Sequence, residues 1–135
     1  MEWSQAMPVP GSGVRVKAQF YYHYGVFISE NEVIQFGLPD GPSRPAEEVR
    51  VLASDVYTFL QGGNLEVGTA DRQERKKLRT ASDVIAHARS KLGQGGYDLL
   101  HNNCEHFMNE CLFGEASSPT IQGLRARLRQ KLGKV

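Results

Sequence analysis

No stretch of this 135-residue chain approaches the roughly 18–20 consecutive apolar residues that a membrane-spanning helix needs. Residues 1–13 (MEWSQAMPVPGSG) hold neither a basic segment nor an apolar core of the kind an export signal carries, so the chain is read as unexported and cytoplasmic. Cysteine is scarce. Cys104 and Cys111 are the two present, seven positions apart in an apolar stretch with helical spacing. On a helix that separation is about 10 Å, too far for a disulfide, so both are expected as free thiols in a reducing compartment. A metal set built from Cys104, His106 and Cys111 does not match zinc spacings, and no metal or cofactor is expected. Net charge is also lacking: 16 Lys and Arg against 15 Asp and Glu give +1, which favours no nucleic acid. The charge is unevenly spread, however. No acidic residue lies beyond Glu115, while Arg125, Arg127, Arg129, Lys131 and Lys134 all do. The part up to Ser118 is mildly acidic.

The length suits one domain with a hydrophobic core of its own. Residues 1–13 read as a flexible lead-in rich in turn-forming residues. Val14–Phe20 alternates like a strand, and Tyr21–Ser29 with Glu32–Gly37 reads as a β-hairpin. Short strands are expected at Val49–Ala53, Leu65–Val67 and Tyr97–Leu100, and a helical turn at Asp55–Leu60. Thr80 to Asp83 has capping-box spacing ahead of a stripe made by Val84, Ile85, Ala88 and Leu92. Asn102 and Asn103 can cap a second helix, Cys104–Phe113, closed by Gly114. Pro119–Leu132 can form a tail helix with Ile121, Leu124, Leu128 and Leu132 on one side. Strands early and helices late give an α+β class.

Cys104 opens its helix and shares a face with Phe107 and Met108, so its thiol faces the body of the protein at a helix N-terminus. The macrodipole there favours an anion and is expected to lower the thiol pKa. The same amide groups could hold an oxyanion. Taken alone, the position equally describes a capped helix that begins with a buried cysteine. Of the four histidines, His87 reads as a surface residue and His101 lies in the approach loop. His106 is about 200° around the helix from the thiol. His23, in the hairpin, would be held rigidly. A three-residue loop, Ser29–Asn31, sets Gly25 opposite Gln35 and puts His23 and Gln35 on one sheet face as diagonal neighbours. A two-residue loop would flip that parity. An amide at 35 can fix the imidazole tautomer. It can also be an ordinary polar residue on the open face of a strand.

Asn103-Cys104-Glu105-His106-Phe107 resembles the NCEHF signature of the lecithin:retinol acyltransferase family. His23–Ile28 (HYGVFI), followed by Val33–Phe36 (VIQF), resembles that family's HYGVYVG…VIHF block, and Tyr97–Cys104 (YDLLHNNC) also matches. The resemblance runs from about Val14 to Gly114. It implies a circularly permuted papain-like fold of the NlpC type, in which a helix carrying the nucleophilic Cys packs on a small antiparallel sheet carrying His. By position Cys104 matches the nucleophile and His23 the base. Gln35 stands where many members have a second His.

The leading expectation is therefore a thiol acyl hydrolase or acyltransferase working through an acyl-thioester on Cys104. Its substrate would be a small-molecule or lipid ester or amide. Backbone amides at Cys104 would hold the oxyanion, with Tyr24 or Asn103 as a further donor. Alternatives are an NlpC-type peptidase or amidase, and a binding module that kept the fold without turnover. Domain limits are read as 1–13 lead-in, 14–114 catalytic domain and 115–135 basic tail. Residues 119–135 are read as a peripheral contact with anionic membrane, or else as a segment that completes the core.

Overall fold

The computed structural model describes residues 1–133. Six strands form one antiparallel sheet: β1 (Glu2–Ser4), β2 (Ser12–Lys17), β3 (Tyr22–Ser29), β4 (Glu32–Phe36), β5 (Val51–Ser54) and β6 (Leu65–Thr69), in the order β1-β6-β2-β3-β4-β5. Four α-helices accompany it: α1 (Val56–Leu60), α2 (Ala81–Ser90), α3 (Cys104–Phe113) and α4 (Pro119–Gly133). This is the expected α+β class, and its chain order, with the His strand before the Cys helix, is consistent with a permuted small papain-like fold. Within the expected lead-in, Glu2–Ser4 pairs with β6 as an edge strand, and the terminal ammonium of Met1 lies 2.7 Å from Glu74 Oε1.

Alternation within the strands sorts side chains onto two faces. Tyr24, Val26, Ile34, Phe36 and Val51 meet Phe107, Met108, Cys111 and Leu112 of α3, together with Val84 and Ala88 of α2. Each such apolar side chain contributes about 2 kcal/mol by leaving water. On the opposite face Val14, Val16, Val33 and Val67 close around Phe59 of the short α1. Asp55 caps α1 by accepting from Thr58 N–H, and Thr80 caps α2 by accepting from Asp83 N–H, as its spacing predicts. Helix α3 ends at Gly114, whose φ of 77° suits the left-handed cap.

Four details differ from the sequence reading. β2 stops at Lys17, because Ala18 N–H bonds to Tyr21 O in a tight turn before β3. Tyr97–Leu100 is not a strand. Asp98 Oδ1 accepts from both Leu100 N–H and His101 N–H, and this local turn outcompetes extended pairing. Leu92 lies past the end of α2 and is largely exposed. The β3–β4 loop is not three residues. Ser29 pairs with Glu32, leaving Glu30 and Asn31 as a two-residue loop. A bulge between Phe27 and Ser29 inserts Ile28 as an extra residue, which flips the parity back, and Gly25 still faces Gln35.

Candidate active site

Two buried polar residues, His23 and Gln35, and the half-buried Ser54 on neighbouring strands form a directed chain. Ser54 hydroxyl donates to Asp55 O at 2.9 Å, so toward Gln35 it can only accept. Gln35 Nε2 donates to Ser54 Oγ at 2.7 Å, which turns the amide oxygen toward His23. Gln35 Oε1 lies 2.9 Å from His23 Nε2 and accepts its proton. The imidazole is therefore the Nε2–H tautomer, and Nδ1 carries the free lone pair. His23 is 1% exposed and Gln35 fully buried, with the imidazole tilted against the Phe59 ring at a centroid distance of 5.3 Å. Burial lowers the His23 pKa to about 4, against smaller opposing effects from Gln35, Asp40 and the Gly37 carbonyl. The ring is neutral near pH 7.

Cys104 stands at the first turn of α3. Asn103 Oδ1 accepts from Glu105 N–H and His106 N–H, and His106 Nδ1 accepts from Asn103 N–H, completing a capping box. Phe107 N–H bonds to Asn103 O. The thiol is not lowered as its helix position predicts: burial pushes it up to about 11, ahead of the stabilising N–H groups of Tyr24, Cys104 and Glu105. Desolvation disfavours the thiolate more than one helix end favours it. Cys111 is fully buried within α3 and pushed up to about 12.

The structure brings His23 and Gln35 into contact and seats the thiol against the backbone of Tyr24, the residue after His23. No hydrogen bond joins thiol and imidazole among the described residues. His23 and Gln35 lie on the Phe59 side of the sheet, and Cys104 in the cluster under α3. The β3–β4 ladder begins at Gly25–Gln35, so the strands part beside His23 and Tyr24. Tyr24 offers the thiol its backbone amide. Its phenol points into a separate cleft beside Trp3 and Arg15 and is pushed up to about 12, chiefly by burial. Asn103 is engaged as the cap, and its Nδ2 donates to Leu99 O. His106 serves the same cap, His101 is an exposed partner of Asp98, and His87, expected at the surface, sits partly buried 3.7 Å from Glu110.

Sequence reasoning missed Ser54, Tyr21 and Asp40. Ser54 ends β5, a strand read as Val49–Ala53 and observed as Val51–Ser54, so its place beside Gln35 was hidden. Tyr21 donates its hydroxyl to Pro39 O and tethers the β2–β3 turn to the loop after β4. Its pKa is raised, first by burial and then by Cys104 and Asp40. Among the described residues, no cluster of His, Cys, Asp and Glu is arranged to hold a metal ion.

The sequence model of the family described as "Lecithin retinol acyltransferase" matches residues 6–117. The mouse lecithin retinol acyltransferase is 28% identical over 134 residues, covering 84% of this chain and 58% of that protein. The human one is 29% identical over 129 residues, covering 81% and 56%. The rat phospholipase A and acyltransferase 1 is 29% identical over 119 residues, covering 82% and 71%. The chain thus spans little more than half the length of the lecithin retinol acyltransferases it matches.

Proposed function

The chain belongs to the lecithin retinol acyltransferase family, and we propose that it is a thiol-dependent lipid acyl hydrolase or acyltransferase with Cys104 as nucleophile, His23 as base and Gln35 as the group that orients the base. The relatives' names support the reaction class, since they are acyltransferases and a phospholipase A. The observation that carries the residue roles is the Ser54–Gln35–His23 chain, which leaves the basic nitrogen of a neutral imidazole free.

Nδ1 takes the thiol proton as Sγ attacks the ester or amide carbonyl carbon. For this step the thiol and imidazole come together across the place where β3 and β4 part. The Cys104 N–H and Tyr24 N–H, both of which favour the thiolate, hold the oxyanion. The imidazolium returns its proton to the departing alcohol or amine, leaving an acyl-thioester. The Gly37 carbonyl and Asp40 favour the protonated ring in the interval. Water then gives hydrolysis, while an amine or alcohol gives transfer. Residues 14–114 form the catalytic unit and 115–135 the basic tail. No helix among the described residues is long and apolar enough to cross a membrane. Residues 119–135 act as a peripheral contact with anionic membrane from the cytoplasmic side.

Intact-protein mass spectrometry after incubation with an activated ester or phospholipid tests the reading. One acyl mass on Cys104, absent in Cys104→Ser, is expected. Ester turnover that survives Cys104→Ser would sink it.

A further inference from the structure

Cys104 and His23 are each followed by a side chain that is tied to the start of α4: Glu105 after the thiol and Tyr24 after the imidazole. We propose that the first turn of α4 is a brace for the site, in which Ser118 and Thr120, acting through Glu105 and Tyr24, are positioning residues that hold the helix carrying Cys104 against the strand carrying His23. The inference rests on the reading of Cys104 and His23 as nucleophile and base, and it adds residues 118–120 to the part of the chain that the chemistry needs.

The helix side of the brace is a buried carboxylate. Glu105 is 7% exposed, and its Oε1 accepts from the Ser118 hydroxyl at 2.6 Å and from Thr120 N–H at 3.2 Å. Burying a carboxylate is costly unless donors satisfy it, and among the described residues both donors come from α4. The Ser118 oxygen in turn accepts from Ile121 N–H at 3.3 Å, so one hydroxyl caps α4 and grips Glu105. Asn109, four residues along α3 and hence on the same face, donates its Nδ2 to Ser117 O at 3.1 Å. The segment 117–120 is thereby fastened along one side of the Cys helix.

The strand side is Tyr24. Its phenol is hydrogen-bonded to the Thr120 side chain, and Tyr24, Glu105 and Thr120 line one cleft. Thr120 therefore holds α3 with its backbone and β3 with its side chain. The capping box of Asn103 and His106 fixes the shape of the turn that carries Cys104, but it lies within α3 and moves with it. The brace instead ties that turn to the residue after His23. Thiol and imidazole share no hydrogen bond among the described residues, so their separation depends on how α3 sits on β3. A misplacement of about 1 Å can cost about 10²-fold in rate. A segment that only anchored the tail would leave that separation, and with it kcat, untouched.

The test uses the full chain and p-nitrophenyl acetate, with kcat, KM and iodoacetamide labelling of Cys104 at pH 8 measured under conditions where denaturant melts show each variant folded. Thr120→Val keeps the N–H on Glu105 and removes the hydroxyl that reaches Tyr24. It is expected to lower kcat by about three- to tenfold with KM near wild type. Its labelling rate is expected to stay at the wild-type value, because alkylation needs the thiol alone while ester turnover needs thiol and base placed together. Glu105→Ala releases both α4 donors and is expected to lower kcat by about 10- to 100-fold. Glu105→Gln keeps an oxygen for both donors and is expected to recover most of that loss. Wild-type kcat in both Thr120→Val and Glu105→Ala overturns the brace and leaves the segment as an anchor for the tail. A fall in kcat of Thr120→Val matched by an equal change in labelling also overturns it, since the thiol itself would then have changed. No acetyl mass on Cys104 in the wild-type protein overturns instead the thiol reading beneath it.

Discussion

Gly25 stands directly opposite Gln35 across the β3–β4 ladder, and its missing side chain leaves room for Phe59, the ring that backs the imidazole where His23 meets Gln35 diagonally. A Cβ at position 25 would lie 2.9 Å from Phe59 Cε1 and 3.2 Å from both Ile34 O and Val33 Cγ1. Phe59 is fully buried and backs the imidazole, so it has little freedom to retreat. Gly25→Ala is expected to destabilise the fold by about 1–3 kcal/mol and to lower activity beyond what unfolding explains. Denaturant melts alongside kcat/KM at a temperature where the variant is folded check both parts. Wild-type stability and activity would show that the packing is looser than the structure indicates.

The neutral imidazole predicts an acid-tolerant enzyme. The ordinary histidine value is 6.5, and the folded value is about 4. Between them the unfolded chain binds a proton that the folded chain does not, so stability rises with pH across that window. Held neutral, His23 favours the fold fully above about pH 6.5 and loses up to about 3 kcal/mol of that advantage as pH falls to 4. Activity follows the same group: kcat/KM should stay level well below pH 6.5 and fall only near 4. An acid limb centred at 6.5 or above would show that His23 is not the base or is not held neutral.

Substitutions at Gln35 separate orientation from charge. Gln35→Ala removes the acceptor that fixes the tautomer and leaves Ser54 without its donor. Its loss in kcat should be smaller than the roughly 10²–10⁴-fold expected when the base itself is removed in His23→Ala. Gln35→Glu sets a carboxylate beside the ring, which favours imidazolium and should move the acid limb upward. Gln35→His would place a second imidazole beside the first, the residue that the family resemblance implies at this position. Full activity in Gln35→Ala would remove the amide's orienting role.

Much of this arrangement was legible because it depends on local chemistry. Asn103, Cys104 and Gly114 delimit α3 through caps that need only neighbouring residues, and the shared face of His23 and Gln35 follows from strand parity. The loop length was misread, and the conclusion survived because a bulge at Ile28 undid a one-residue error. Alternation alone cannot place such a bulge. The thiol's acidity was misjudged for a different reason. Helix position is written in sequence, while the depth of burial that overrides it depends on the strands and loops packed around Cys104. Tyr21 and Asp40 reach the site through loops whose shape no periodicity encodes.

The two cysteines should differ in rate and share a pH trend. Cys104 is 7% exposed and pushed up to about 11, while Cys111 has no exposure and sits near 12. Iodoacetamide should label Cys104 first in the folded protein. Because the thiolate is the reactive form, its rate should climb about tenfold per pH unit from 7 to 10 without a plateau. Peptide mapping at intervals measures both rates. A plateau near pH 7 would mean a lowered thiol, and equal labelling of Cys111 would mean local opening of α3.

The last prediction concerns α4. None of its residues is buried, and Leu124, Leu128 and Leu132 are 41%, 51% and 73% exposed, so the helix does not complete the core. Its attachment is at one end. Glu105 Oε1 accepts from Ser118 hydroxyl at 2.6 Å and from Thr120 N–H at 3.2 Å, which ties the start of α4 to the residue after Cys104. At about 100° per residue, Arg125 and Arg129 flank one side of the leucine stripe and Arg127 and Lys131 the other, while Lys134 lies outside the described residues. Cations flanking an apolar stripe suit a helix lying in a lipid interface, where the leucines enter the acyl boundary and the cations reach the headgroups. Each basic residue contributes about 1 kcal/mol near an anionic surface, an attraction that salt screens. A truncation after Gln122 keeps both groups that hold Glu105. It should melt within about 0.5 kcal/mol of the full chain and turn over a soluble ester normally. The full chain should sediment with phosphatidylserine-containing vesicles at low salt and be released by added salt, while the truncated chain should remain in the supernatant. If the full chain never sediments with such vesicles, the tail has no role at membranes. If the truncation unfolds, the exposed stripe contributes to the core despite its place in the structure.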